Sequence, residues 1–130
     1  MTEVQTVGPS KILETPEDTL RRFAQHIRER DLEKLVALYE PDALFSPEPK
    51  VKVKGHAGLR AAFQDLFVLE PVLELVPAQV HESGDLALVE NDWTLSGTAP
   101  DGTSVSKSGR SSVVLRRDSD GTWLIAIDRP

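Results

Sequence analysis

The stretch Asp31 to Phe45, DLEKLVALYEPDALF, decides the fold that we expect for this chain. Asp31 is a suitable N-cap for a short helix, and apolar residues recur at helical spacing as far as Tyr39. Pro41 cannot continue a helix, so we expect a turn there and a strand from Ala43 onward. An amphipathic helix precedes this stretch and a β-rich region follows it. That order predicts a curved sheet wrapped around helices, with a pocket between the two layers.

The composition is that of one globular domain. The chain has 130 residues, of which 39% are hydrophobic and 28% charged, enough for a single core. The net charge of -6 argues against a nucleic-acid partner, because such binding rests on clustered Lys and Arg. The absence of cysteine excludes disulfides and thiolate catalysis. No apolar run is long enough for a membrane span, and the first residues lack the pattern of a signal peptide, so we expect a cytoplasmic protein.

Helix and strand signals alternate from Thr15 onward. Thr15 and Pro16 form a strong helix start, and a third helix follows Gly55. A short hairpin lies between the second and third helices. The period then changes from helical to alternating, which predicts four further strands. These strands are Val72 to Glu82, Leu86 to Thr98, Thr103 to Arg117 and Thr122 to Asp128. We therefore predict an α+β fold over residues 15–130, preceded by a flexible arm over residues 1–14.

The first of the long strands carries an irregularity. Its apolar alternation changes phase at Pro77, since Leu73 and Leu75 precede the proline while Ala78 and Val80 follow it. A single inserted residue produces such a shift, and proline is tolerated at bulges and edges. The pattern predicts a bulge or bend near Pro77.

Several segments resemble a known family. The stretch LYEPDALF, the glycine at Gly55 and the Gly121-Thr122-Trp123 turn resemble the nuclear transport factor 2-like superfamily, closest to its SnoaL-like and ketosteroid-isomerase-like branch. The segments NDWTLSG, SGRSSVVLRR and DGTWLIAID are similar to a bacterial subgroup without demonstrated activity. The resemblance covers roughly residues 16 to 128. It implies a cone-shaped pocket, a small organic ligand, and a homodimer packed through the outer face of the sheet.

The catalytic residues of the isomerase branch are not found at the corresponding positions of this chain. That branch uses a carboxylate base, with a tyrosine and a protonated aspartate on the enolate oxygen. By the resemblance, the tyrosine position falls on Phe23, the base on Pro47, and the oxyanion acid on Ser112. Glu48 follows the base position by one residue. Steroid isomerisation by the usual residues is therefore not expected.

Other polar residues are candidates for the pocket. If Ser112 faces inward as its family counterpart does, strand alternation turns a set of charged residues toward the same cavity. We predict Asp128 and Asp92 as proton-transfer groups, with Arg110, Ser112, Glu90 and Tyr39 as ligand-binding groups. Tyr39 is expected on the core-facing side of the second helix. The alternative is a buried ion-pair network that only fixes the strand register.

Neither a metal nor a cofactor is expected. His26, His56 and His81 are widely separated, and none has the spacing of a ligand pair. The stretch Gly55 to Gly58 matches neither a phosphate-binding loop nor a dinucleotide fingerprint.

Two functional hypotheses remain open at this point. The first is a small-molecule-binding domain with an isomerase-like or cyclase-like proton-transfer activity. The second is a non-enzymatic ligand-binding or dimeric scaffold domain. In either case the alternation places Val89, Trp93 and Leu95 on the outer face, where an apolar patch favours a homodimer.

Overall fold

The computed structural model describes residues 13–130, so nearly all of the expected N-terminal arm lies outside the described residues. Within that range no helix has both the length and the apolar character to cross a membrane. In chain order the elements are α1 (Pro16–Glu29), α2 (Leu32–Val36), β1 (Tyr39–Glu48), β2 (Val51–Lys54), α3 (Gly55–Phe67), β3 (Val72–Ser83), β4 (Leu86–Thr98), β5 (Ser104–Arg117) and β6 (Trp123–Arg129).

Helix α1 begins where its sequence signals place it. The Thr15 hydroxyl accepts a hydrogen bond from the Asp18 backbone N–H at 3.3 Å, and the Asp18 carboxylate accepts one from the Thr15 N–H at 2.9 Å. This reciprocal pair satisfies two backbone donors that the helix itself leaves free. Pro16 at the first helical position has no N–H to satisfy. The predicted helix start is confirmed.

The six strands form one curved, unclosed sheet in the order β2-β1-β6-β5-β4-β3. All neighbouring strands are antiparallel except β1 and β6, which run parallel. The predicted α+β class is confirmed, and the parallel pair makes the sheet mixed rather than purely antiparallel. Strands β4, β5 and β6 form the expected meander, whose short turns fix the relative register of the three strands.

Strand β3 has the predicted irregularity. Pro77 pairs with Asn91 and Gln79 with Glu90, so Ala78 is left without a partner. The extra residue reverses the alternation of β3 beyond the proline, as the apolar phase shift indicated.

The end of the second helix differs from the prediction. Helix α2 stops at Val36, and Tyr39 is the first residue of β1, paired with Ile125 of β6. Pro41 therefore lies inside the strand, in the irregular part between Tyr39 and Leu44 where the ladder is interrupted. Because Tyr39 pairs with β6, it adopts a strand conformation instead of the predicted helical one.

The first helix is fastened to the sheet through Trp123. This side chain is 1% exposed, and its indole N–H donates to the Glu14 carbonyl at 3.2 Å. The buried Thr19 hydroxyl donates to the Trp123 carbonyl at 2.6 Å. These two bonds hold α1 against the start of β6.

Candidate functional site

A cavity of about 250 Å³ lies between the helices and the inner face of the sheet. Apolar side chains form most of its wall, and four of them are aromatic: Phe23 from α1, Phe45 from β1, Phe63 from α3 and Trp93 from β4. The polar lining side chains are Asp128, Asn91, Ser111 and Lys107. A mainly apolar cavity with a few convergent polar groups is typical of small-molecule sites.

Asp128 reaches this cavity because β6 is irregular. Val114 of β5 pairs with Ile127 and Leu115 pairs with Ile125, so Ala126 has no partner. The extra residue reverses the alternation and turns both Ile125 and Asp128 to the inner face. Asp128 is only 7% exposed, and burial raises the pKa of its carboxyl from 3.8 to about 6.

Tyr39 holds one oxygen of this carboxyl. Its hydroxyl donates to Asp128 Oδ2 at 2.6 Å, and the bond opposes the effect of burial by lowering the Asp128 pKa. Burial raises the pKa of Tyr39 well above its usual value, with the nearby Asp128 charge acting in the same direction, so the phenol stays protonated as a donor. Asp128 Oδ1 accepts no hydrogen bond from any described residue. The pair therefore presents one fixed and one available carboxyl oxygen.

A second polar pair lies on the neighbouring strands. Asn91 and Ser111 are directly opposite each other on β4 and β5, both buried, and Asn91 Nδ2 donates to Ser111 Oγ at 3.1 Å. Within residues 13–130, Asn91 Oδ1 and Trp93 Nε1 are buried without a hydrogen-bond partner. An unpaired buried polar atom costs about 1–3 kcal/mol. The cavity wall therefore carries two polar atoms with hydrogen-bonding capacity that the described residues leave unused.

Four predicted pocket residues lie on the other side of the sheet. Asp92 pairs with Arg110 and Glu90 pairs with Ser112, and none of the four lines the cavity of Asp128. Arg110 Nε lies 3.0 Å from Asp92 Oδ1, as expected for partners, but both side chains are more than half exposed. Their predicted inward placement is therefore wrong.

The error has one physical cause. A strand has a period of two, so choosing the wrong residue as inward reverses every side chain on it. The assignment started from Ser112, whereas Ser111 and Val113 face inward, and the regular β4–β5 ladder carries the same reversal to Glu90 and Asp92. Asp128 keeps its predicted side because of the irregularity at Ala126.

The apolar residues that were expected on the outer face lie on the inner face instead. Val89 is fully buried, and Trp93 and Leu95 line the cavity. The outer face instead carries Leu88 and Ile127, which flank Val114 in one row across β4, β5 and β6. In β4 the residues Val89, Trp93 and Leu95 form the more apolar of the two alternating sets. Asn91 belongs to the same set and Ser111 pairs with it, so this pattern was the sequence signal that both face the cavity.

Comparison with known proteins places this geometry in a family. The model of the SnoaL-like domain family matches residues 20–125. No curated protein matches the chain.

Solved structures share the fold at low sequence identity. A ketosteroid isomerase-like protein from Erwinia carotovora atroseptica is 17% identical with a TM-score of 0.78, over 92% of this chain and 95% of that one. A nuclear transport factor 2-like protein with a cystatin-like fold from Novosphingobium aromaticivorans is 20% identical with a TM-score of 0.71, over 85% of this chain and 75% of that one. A protein from Catenulispora acidiphila in complex with S-DNPA is 16% identical with a TM-score of 0.68, over 86% of each chain.

Proposed function

The chain belongs to the SnoaL-like domain family of the nuclear transport factor 2-like superfamily, and from that premise we propose that it binds a small organic molecule in its cavity and transfers a proton on it through Asp128. The observation that carries the proposal is a buried carboxyl, with a pKa of about 6, held by the Tyr39 hydroxyl in a mainly apolar cavity. A group that titrates near neutral pH is suited to both take up and release a proton.

The chemistry follows from the geometry of the pair. Above a pH of about 6 the Asp128 carboxylate is a base, and Tyr39 fixes its orientation through Oδ2. The free oxygen accepts a proton from a ligand carbon that is activated by an adjacent carbonyl group. The protonated acid returns the proton at a second position or to a product oxygen, which describes an isomerisation or a cyclisation. The apolar wall excludes water and thereby strengthens the electrostatic interactions within the cavity.

A ketone with acidic C–H bonds tests this activity without knowledge of the natural substrate. We would follow deuterium exchange of 2-tetralone in D₂O by proton NMR. The protein should accelerate exchange, and the rate should rise with pH through a midpoint near 6. Asp128→Asn should lower the catalysed rate about 10²–10⁴-fold, the usual contribution of a general base. Asp92→Asn, on the outer face, is the matched control and should retain the rate.

A second candidate function is ligand binding without catalysis. It is favoured by the apolar residues Phe23 and Pro47, which line the cavity at the positions where the isomerase branch carries its tyrosine and its base. Under this alternative the protein binds 2-tetralone and does not accelerate exchange. Calorimetric titration with the same ketone establishes binding, and the exchange assay then separates the two functions.

We also propose that the protein is a cytoplasmic homodimer. The row of Leu88, Val114 and Ile127 leaves an apolar strip on the outer sheet face, with Leu88 38% and Ile127 41% exposed. A two-fold axis through this strip would bury it against its own copy. The chain has no cysteine, so folding in a reducing compartment costs it no disulfide. Sedimentation equilibrium at micromolar concentration should give a dimer, and Leu88→Glu should give a monomer; a monomeric wild-type protein would contradict the proposal.

A further inference from the structure

The Trp93 indole packs against strand β5 at Gly109. The two residues are paired directly across β4 and β5. A Cβ atom at position 109 would lie 3.1 Å from Trp93 Cζ2, 3.3 Å from Cε2 and 3.3 Å from Nε1. These three atoms are bonded neighbours along one side of the indole, so this side of the ring packs directly against the backbone at Gly109. Any larger side chain at position 109 would have to displace the ring.

This arrangement places an aromatic side chain in the sheet side of the cavity wall. Trp93 lines the cavity on the sheet side, and Phe23, Phe45 and Phe63 line it from the other elements. Phe63 packs edge-on against Phe23, at a centroid distance of 5.9 Å and 70°, and tilted against Phe45, at 5.7 Å and 36°. The three phenylalanines thus form a connected group that lines the same space as the indole.

The size of the cavity limits the ligand. A volume of about 250 Å³ exceeds the roughly 150 Å³ that holds a benzene molecule and is below the range of about 300–1,000 Å³ that is usual for larger ligands. One ring or two fused rings fit this space.

We propose that the cavity selects flat aromatic or conjugated molecules of one or two rings, which stack on the Trp93 indole, and that Gly109 determines this specificity by letting the indole lie against the sheet. The inference rests on the proposed small-molecule binding at this cavity and is independent of proton transfer by Asp128. Offset stacking on an aromatic face contributes beyond the buried area, and the corresponding gain in affinity is about threefold to tenfold.

A matched pair of probes tests the selectivity for flat rings. 2-Naphthol and decahydro-2-naphthol have the same carbon skeleton and hydroxyl group, but only the first is planar. Calorimetric titration of the full-length protein should give an affinity at least about threefold higher for 2-naphthol. In NMR spectra, 2-naphthol should shift the indole N–H signal of Trp93 and leave that of the buried Trp123 in place. Trp93→Phe assigns the two signals.

Two variants test whether this preference depends on the Trp93 indole and its contact with Gly109. In Trp93→Leu the ratio of the two affinities should approach one, with decahydro-2-naphthol binding changed less than twofold. Gly109→Ala should weaken 2-naphthol binding selectively, because the new methyl group pushes the indole toward the ligand. Ser108→Ala, the neighbouring change on the opposite face, is the matched control and should retain the preference. Circular dichroism checks folding, and Gly109→Ala provides the test if Trp93→Leu does not fold.

Each outcome decides a separate proposal. Equal affinities for the two probes in the wild-type protein, or a preference that persists in both Trp93→Leu and Gly109→Ala, would overturn the stacking proposal. Selective 2-naphthol binding without exchange of 2-tetralone would support it and contradict catalysis by Asp128. If neither probe binds, both the proposed cavity function and this inference are wrong.

Discussion

The Tyr39 hydroxyl donates to Asp128 Oδ2 at 2.6 Å, a contact between residues 89 positions apart in the sequence. It lies where β1 and β6 run parallel, with Tyr39 opposite Ile125 and Phe45 opposite Asp128. Among the described residues, β1 and β6 are the only parallel pair of the sheet, and Asp128 is the only carboxyl side chain that lines the cavity. The bond joins these two features. Stability and the ionisation of Asp128 should consequently depend on each other.

The buried carboxyl should make stability fall as pH rises. The folded-state pKa of Asp128 is about 6, against a usual value of 3.8, so between these values the folded state holds a proton that the unfolded chain has released. A difference of about two in pKa corresponds to about 3 kcal/mol. Urea unfolding should show wild type losing about 2 kcal/mol of this relative to Asp128→Asn between pH 4 and pH 7, because part of the loss falls outside that window. The same loss should occur in Asp92→Asn, and a constant difference between wild type and Asp128→Asn would show that Asp128 is not buried as described.

Tyr39→Phe should raise the pKa of Asp128 further. The substitution removes the hydrogen bond that favours the charged carboxylate and leaves the desolvation in place. Carbon-13 NMR of the Asp128 carboxyl should show a midpoint above that of the wild-type protein, and the midpoint of 2-tetralone exchange should move in the same direction. A lower midpoint in Tyr39→Phe would contradict the assigned role of the phenol.

Phe63→Ala should cost about 3–5 kcal/mol of unfolding free energy, as large-to-small changes of buried aromatic residues do. Phe63 is 3% exposed and contacts the rings of Phe23, Tyr39 and Phe45. Val68→Ala is the control just beyond the same helix, because Val68 is 57% exposed, and it should change stability by less than about 0.5 kcal/mol. A loss below about 1 kcal/mol in Phe63→Ala would show that α3 does not pack as described.

Arg110→Ala should have little effect on either stability or cavity binding. The Arg110–Asp92 pair is solvent-exposed on the outer face, where water screens the attraction and such pairs contribute little. A double-mutant cycle with Asp92→Ala should give a coupling energy close to zero, and 2-naphthol affinity should be unchanged. Loss of 2-naphthol binding in Arg110→Ala would restore the original assignment of Arg110 to the ligand site.

Local chemistry in the sequence determined where most elements begin and end. Thr15 and Pro16 start α1 through interactions with their immediate neighbours, and the turn residues around Gly84 and Gly102 limit β4 to Leu86–Thr98, as predicted. The bulge at Pro77 was predictable for the same reason, since both the proline and the apolar phase shift are local signals.

Only the tertiary structure decided which side of each strand meets the cavity. The irregularity at Ala126 has neither a glycine nor a proline to indicate it, yet it turns Asp128 inward. Tyr39 leaves the predicted helix because β1 pairs with β6, and Asn91 lines the cavity because helices cover that face of β4. Alternation gives two faces to a strand, and in β4 the more apolar face is the inner one, but the sequence of one strand does not show which distant elements cover that face. The choice comes from the apolar area that each face buries against distant elements, which is a property of the whole sheet.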